Sequence, residues 1–287
     1  QIALASDTAP DGFQVPGAWW VPMMRRRVTT AIDDLPKSRN IDLANFDYPP
    51  NRVAEFEGKL YGLPVHIPVV FGLVYNKKLF DAAGVAHPTA QWTWEDMTAA
   101  AQKLHKPPTT YGMTAIGATV IPQMIWSNGG QLLSEDDKKW LADSPEAIQA
   151  VQTEVDWVVT QKVSMAPGEE KALGDLPFAS EKLAMGITVL ADWGTYQSIT
   201  KNSAIDAGAV SFPLSPKTKK RVLNGFTHTN AIAAKTKVME PAGAFLVWLT
   251  TSDDALAKQV QVFPVNYQFK KYADQLANAK QKEYVLS

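Results

Sequence analysis

Apolar positions along the chain switch between two spacings. The stretch GLPVHIPVVFGLVYN, residues 62–76, is rich in Val, Ile and aromatic residues and carries Pro64 and Pro68, which predicts two strands around a bend. In TWEDMTAAAQKL, residues 93–104, Thr93 supplies an N-cap and Glu95 and Asp96 fill the first turn of a helix. SPEAIQAVQTEVDWVVTQ, residues 144–161, opens with Ser144 as cap and Pro145 at the first helical position. Its Ile148, Val151, Val155 and Val158 are expected to share the buried face. Strands are expected at 184–190, 207–212 and 228–234, with a charged turn at 215–221. A short helix is expected after Trp193, and longer ones at 239–251 and 252–261, the last capped by Ser252.

Helical and extended patterns alternate, which argues for an α/β architecture. No fixed-period repeat and no Gly-, Pro- or Ser-rich linker divides the chain, so two lobes would be joined by strands crossing between them. Gly58 and Gly62 bracket a turn where a positive φ is useful, and Gly129-Gly130 allows a reversal.

Composition narrows the function classes. The 287 residues suit one large domain or two small ones. Lys and Arg number 28 against 29 acidic residues, so no charge excess calls for a nucleic-acid partner. The densest basic run, Arg25-Arg26-Arg27, reads as a solvated helix face. The absence of cysteine excludes disulfides and thiol chemistry and suits an oxidising compartment. No apolar run approaches the roughly 20 residues that span a bilayer. The opening QIALASDTAP reads as the start of a processed or partial chain.

Catalytic motifs are missing. There is no phosphate-cradling glycine loop, no dinucleotide fingerprint, no G-x-S-x-G elbow and no H-E-x-x-H. His66, His87, His105 and His228 are far apart and show no metal-ligand spacing. The chain is instead rich in aromatic residues, with nine Trp, eight Tyr and eleven Phe. Trp157 and Trp248 read as packing residues, Trp94 as a staple for its helix and Trp140 as a surface-turn anchor. Trp193 differs, because it follows a strand directly and sits beside Gly194. Ligands of open α/β sheets bind beyond the carboxyl ends of strands. An indole there either plugs the sheet end or offers a flat face on which a sugar ring can stack.

Several motifs then line up in order: EGKLYGLPV (57–65), VYNKKLFDAAGV (74–85), TWEDMTAAAQKL (93–104), WSNGGQLLS (126–134) and FASEKLAMGITVLADW (178–193). This colinear set resembles the extracellular solute-binding proteins of ABC importers, in the sugar-binding branch that includes maltose-binding protein. ALASDTAPD (3–11) and AIAAKTKVMEPAGAFLVWLTT (231–251) extend the resemblance over nearly the whole chain. The chain departs from the family pattern at Asp7, Glu181 and Ala191, where relatives often carry Gly. Relatives also begin with further strands and a helix and finish with further helices, so the resemblance implies an incomplete first lobe at the start and an incomplete second lobe at the end.

The resemblance implies a two-lobe periplasmic-binding-protein-like fold of type II, with a ligand cleft between lobes and several crossover hinges. The first lobe is expected at 1–71 and 224–262, the second at 72–223 and 263–287. The implied function is hinge-bending capture of a mono- to oligosaccharide for delivery to ABC permease subunits, with a glycerol phosphodiester as the alternative ligand and an α/β enzyme as the third reading. Trp193 is the implied stacking platform. Asp192 either accepts sugar hydroxyls or caps the next helix. His66 is either a polar ligand contact or a satisfied strand-end histidine. Asn224, Phe226, Thr227 and His228 lie where the second crossing enters the first lobe. Asp11 and Trp19 follow the segment where relatives approach the ligand, and of Trp19 and Trp20 only one is expected to face the cleft. Asn128 reads as a structural turn residue. No cofactor or metal is implied. The protein is expected as a periplasmic or extracellular monomer, or as a lipoprotein anchored to the membrane.

Overall fold

The structure is a computed structural model that describes residues 8–66, 69–136, 138–174, 177–189, 206–259 and 266–268. The main elements in chain order are strand β1 (Gly12–Pro16), helix α1 (Trp20–Arg25), β2 (Gly62–Pro64), β3 (Val69–Asn76), α2 (Lys77–Ala83), α3 (Trp94–Leu104), β4 (Tyr111–Met113), α4 (Ile121–Ser127), α5 (Pro145–Val155), β5 (Leu183–Val189), β6 (Ala207–Ser211), β7 (His228–Ile232), α6 (Met239–Thr251) and α7 (Asp253–Gln259). The chain divides into two compact units. One runs through Val69 and resumes at Gly225; the other takes Val70–Asn224.

In the first unit the sheet order is β1-β7-β2, and both pairings are antiparallel. Val15, Leu63, Ala231 and Ile232 pack with Trp20, Met24, Ile32, Phe46 and Leu246 into its core. Gly62 is needed here for a reason other than the expected turn. Its φ is not positive; a Cβ would come within 2.5 Å of the Asn230 carbonyl and 2.9 Å of the Trp20 ring. Close approach of strand and indole therefore excludes a side chain, while Gly58 does take a positive φ of 75°.

Helix α6 buries Ala242, Gly243, Leu246 and Thr250, a stripe at spacings of three and four. Trp248 points the other way. It is 46% exposed and stacks on Phe245 at 5.9 Å, so the packing role expected for it is not what the helix phase gives. Residues 266–268, expected with the second lobe, are bound into the first unit. The Asn266 amide donates to the Val65 carbonyl at 3.1 Å, and the Gln268 amide donates to that of Asn45 at 2.9 Å. Tyr267 meets Phe46 edge-on at 5.0 Å. The Asn266 side chain, bonded to the Tyr48 backbone, and the Tyr267 ring fix this short stretch where the family resemblance implied the second lobe.

In the second unit the order is β4-β5-β3-β6; β3 runs antiparallel to both neighbours, and β4 is parallel to β5. The Thr93 cap of α3 forms a full capping box with Asp96. Trp94 is buried and donates its Nε1–H to the Pro213 carbonyl at 3.1 Å, which ties the helix start to the segment after β6. Trp157, also buried, donates to the Thr98 hydroxyl at 2.6 Å. Helix α5 begins as expected, but Ile148 and Val155 are exposed and the small Ala147 and Ala150 are buried instead. Small residues let α5 approach α4 closely, which a face of branched side chains would prevent. Asn128 is structural: its Nδ2 donates to the Glu146 carbonyl at 2.9 Å, and its Oδ1 accepts from the Ser215 hydroxyl at 2.9 Å.

Candidate ligand-binding site

The first unit places several of the expected site residues at one end of its sheet. Because β7 is antiparallel to both neighbours, its start at His228 lies beside the carboxyl ends of β1 and β2; Pro16 pairs with His228, and Val65 donates its amide to the His228 carbonyl at 2.8 Å. His66 follows directly and is 1% exposed. Its Nε2 lies 2.9 Å from His228 Nδ1. The backbone N–H of His228 also donates to His66 Nε2, at 3.3 Å. That amide can only donate, so His66 Nε2 is an acceptor and the shared ring proton is assigned to His228 Nδ1. The remaining ring nitrogen of His228, Nε2, is then a lone-pair acceptor, and it has no protein partner among the described residues.

Burial pushes the His228 imidazole below its ordinary value, which favours this neutral state. Phe226 meets the His228 ring edge-on at 5.5 Å. The Thr227 hydroxyl donates to the His66 carbonyl at 2.5 Å. Trp19 ends the short 3-10 turn that continues β1, and it is half-exposed, whereas Trp20 is buried in the core. Of the two neighbouring indoles, Trp19 is thus the accessible one. The end of the sheet combines an exposed indole, an edge-on phenyl ring and a neutral imidazole with a spare acceptor.

Two expected residues lie elsewhere. Asp11 precedes β1 at the opposite end of the sheet, five residues from Pro16 or about 17 Å away. Its carboxylate accepts from the Thr236 hydroxyl at 2.7 Å. Asn224 belongs to the second unit, where its amide donates to Gln123 Oε1 at 2.7 Å and its Nδ2 to the Thr119 carbonyl at 2.7 Å. Asp192 and Trp193 lie outside the described residues. Gln123 is a residue that sequence reading missed. It is fully buried, and its Nε2 donates to the Phe71 carbonyl at 3.5 Å, so one amide side chain holds both chain segments that enter the second unit. Its only sequence signal is a polar residue inside an apolar helical run.

Comparison with known proteins assigns the family. The family model described as bacterial extracellular solute-binding protein matches residues 1–256. The chain belongs to this family. A protein of Brucella abortus (strain 2308), named as a binding protein, is 26% identical to this solute-binding protein over 207 residues, 69% of the chain and 48% of the relative. The chain thus spans about half the length of the curated relatives it matches. Among solved structures, an ABC substrate-binding protein from Listeria monocytogenes in complex with cycloalternan has a TM-score of 0.85 at 22% identity, covering 99% of this chain and 74% of that one. UgpB from Mycobacterium tuberculosis in complex with glycerophosphocholine has a TM-score of 0.77 at 20% identity, covering 96% and 71%. The solute-binding protein described here has the two-lobe fold of these structures. Among its described residues no helix is long and apolar enough to cross a membrane.

Proposed function

We propose that this chain is the substrate-capturing part of an extracytoplasmic binding protein that takes a carbohydrate and presents it to the permease subunits of an ABC importer. It acts as a monomer in the periplasm or outside the cell, with or without a lipid anchor, and performs no chemistry on its ligand. The chain crossings between Val69 and Val70 and between Asn224 and Gly225 serve as hinges. Trp19, Phe226 and His228 supply contacts from the first unit, with the buried His66 and Thr227 holding them from behind; Trp193 and Asp192 complete the set as stacking platform and hydroxyl acceptor.

One observation carries the choice of ligand. The described sheet-end residues of the first unit carry no fixed positive charge, and the accessible imidazole of His228 is held towards its neutral form. Such an edge suits neutral hydroxyls and the C–H face of a sugar. The glycerophosphocholine complex of UgpB favours a phosphodiester as the second reading. That ligand would call for a cation, and the described residues of this edge include none.

A thermal-shift series separates the readings. A ligand present at a hundred times its Kd stabilises by about 2.7 kcal/mol. One or more mono-, di- or oligosaccharides are expected to raise the melting temperature, while glycerophosphocholine leaves it unchanged. A shift with glycerophosphocholine alone overturns the carbohydrate reading. New products after incubation with a sugar overturn the binding-protein reading.

A further inference from the structure

At the opposite end of the first unit's sheet from the histidine pair lies a cavity of about 510 Å³. Three chain segments build its frame by backbone hydrogen bonds. Ala233 donates to the Asp11 carbonyl at 2.8 Å, Ala234 to that of Val28 at 3.0 Å, and Thr30 to that of Ile232 at 3.0 Å. Four cations line it: Arg26, Arg27, Lys235 and Lys237. The single lining carboxylate, Asp11, already accepts a hydrogen bond from Thr236. The nearby Glu240 pairs with Arg39. Among the described residues, Arg26, Arg27 and Lys237 form no ion pair.

Two backbone features set the course of the segments that carry these cations. Arg27 adopts a left-handed conformation with φ of 53°, in the turn that closes α1 and brings the segment onto Val28. Lys237 lies two residues before the 13-residue helix α6, so the start of that helix fixes the end of the lining segment. A concave, framed surface with several donors and a local cation excess is matched by a compact polyanion. Guanidinium groups recognise phosphate through paired N–H donors, and ammonium groups act as point charges.

From this arrangement we infer that the Arg26–Arg27–Lys235–Lys237 cavity is a binding site for phosphate groups, separate from the carbohydrate edge. Two sources share that chemistry, a free phosphate compound and the headgroup of an anionic lipid. The inference does not depend on the ligand proposed above, because the two sites use different residues at opposite ends of the sheet.

The test uses the full chain with pyrophosphate in calorimetric titrations, and with sedimented vesicles of phosphatidylglycerol or phosphatidylcholine. The double variant Arg26→Gln/Lys237→Gln is compared with Lys59→Gln, which removes an exposed cation outside the cavity, and with Lys237→Arg, which keeps the charge. Pyrophosphate is expected to bind the wild type, to bind the double variant at least about tenfold more weakly, and to bind the other two normally. Added salt should weaken the binding. Pyrophosphate binding without sedimentation on phosphatidylglycerol identifies a free phosphate compound. Sedimentation on phosphatidylglycerol but not phosphatidylcholine, lost in the double variant, identifies a headgroup. No binding of either probe, or binding that the double variant retains, overturns the site. Sugar-induced thermal shifts in the double variant report on the carbohydrate edge separately.

Discussion

The imidazoles of His66 and His228 meet at 2.9 Å across a sequence separation of 162 residues. His66 is almost fully buried, so the contact is a structural bond as well as a feature of the candidate site. Replacing His66 by Ala removes the acceptor used by both the His228 ring and its amide. A buried donor left unpaired costs about 1–3 kcal/mol. His66→Ala is therefore expected to lower the urea midpoint with an unchanged m-value, read from equilibrium unfolding. A midpoint equal to that of the wild type would show that water replaces the lost acceptor without cost.

The same pair makes stability depend on pH in a definite direction. Burial lowers the His228 pKa below the ordinary 6.5. The unfolded chain then takes up a proton near pH 6.5 while the folded chain resists it. The stabilisation is fully present above pH 6.5 and is lost as pH falls through the lowered folded value. His228→Asn is expected to flatten part of this slope between pH 7.5 and 5.5. His105, lowered by burial in the same sense, leaves a residual slope. Urea midpoints of both proteins at the two pH values check the prediction, which fails if the slopes coincide.

Trp19 and Trp20 are adjacent in sequence and opposite in environment. Trp20→Ala empties a core position and is expected to cost about 3–5 kcal/mol. Its Nε1 has no partner within the described structure, so Trp20→Phe, which removes the unpaired donor and keeps most of the ring, should cost much less. Trp19→Ala should leave the melting temperature nearly unchanged and weaken sugar binding. A Trp19→Ala protein that binds sugar normally would remove Trp19 from the site.

These residues show what the sequence disclosed. The colinear motifs carried the family and the fold, and the family match bears them out. Local chemistry was equally legible: Thr93 and Ser144 cap the helices expected of them, because capping needs only neighbours three residues away. Contacts between distant segments were not legible. Nothing near His66 announces His228, and nothing near Gly62 reveals that the carbonyl of Asn230 and the ring of Trp20 leave no room for a Cβ. Helix phase misled where small residues did the packing, as in α5, and where an aromatic residue faced outward, as Trp248 does. The family resemblance grouped Asp11 with Trp19, yet an intervening strand carries them to opposite ends of the sheet.

Gly62→Ala tests the close approach directly. The added methyl would sit 2.5 Å from a backbone carbonyl that has no free rotor to move aside. Overpacking of this kind typically costs about 1–3 kcal/mol. Gly58→Ala, at a positive φ with open space around it, acts only through backbone strain. Both variants should lower the melting temperature, Gly62→Ala further. Pairing Gly62→Ala with Trp20→Phe, which removes the ring atom nearest the new methyl, should recover part of the loss. Simple additivity of the two substitutions would exclude ring contact as a source of the strain.

Glu154 provides a pH effect of opposite sign. Burial raises its carboxyl pKa above the ordinary 4.5, partly offset by the hydrogen bond it accepts from the Ile116 amide at 2.8 Å. Its second oxygen is buried without a partner in the described structure. The folded state thus holds a proton more tightly than the unfolded one. The stability this contributes is fully present below pH 4.5 and is lost as pH rises through the raised folded value. Glu154→Gln keeps an acceptor for Ile116 and cannot ionise, so it escapes that loss. The urea midpoint of the variant should gain on the wild type as pH rises from 4 to 7. Every other titrating group is common to the two proteins and cancels in the difference, so a difference that stays constant with pH would mean that Glu154 ionises in the folded chain as freely as in the unfolded one.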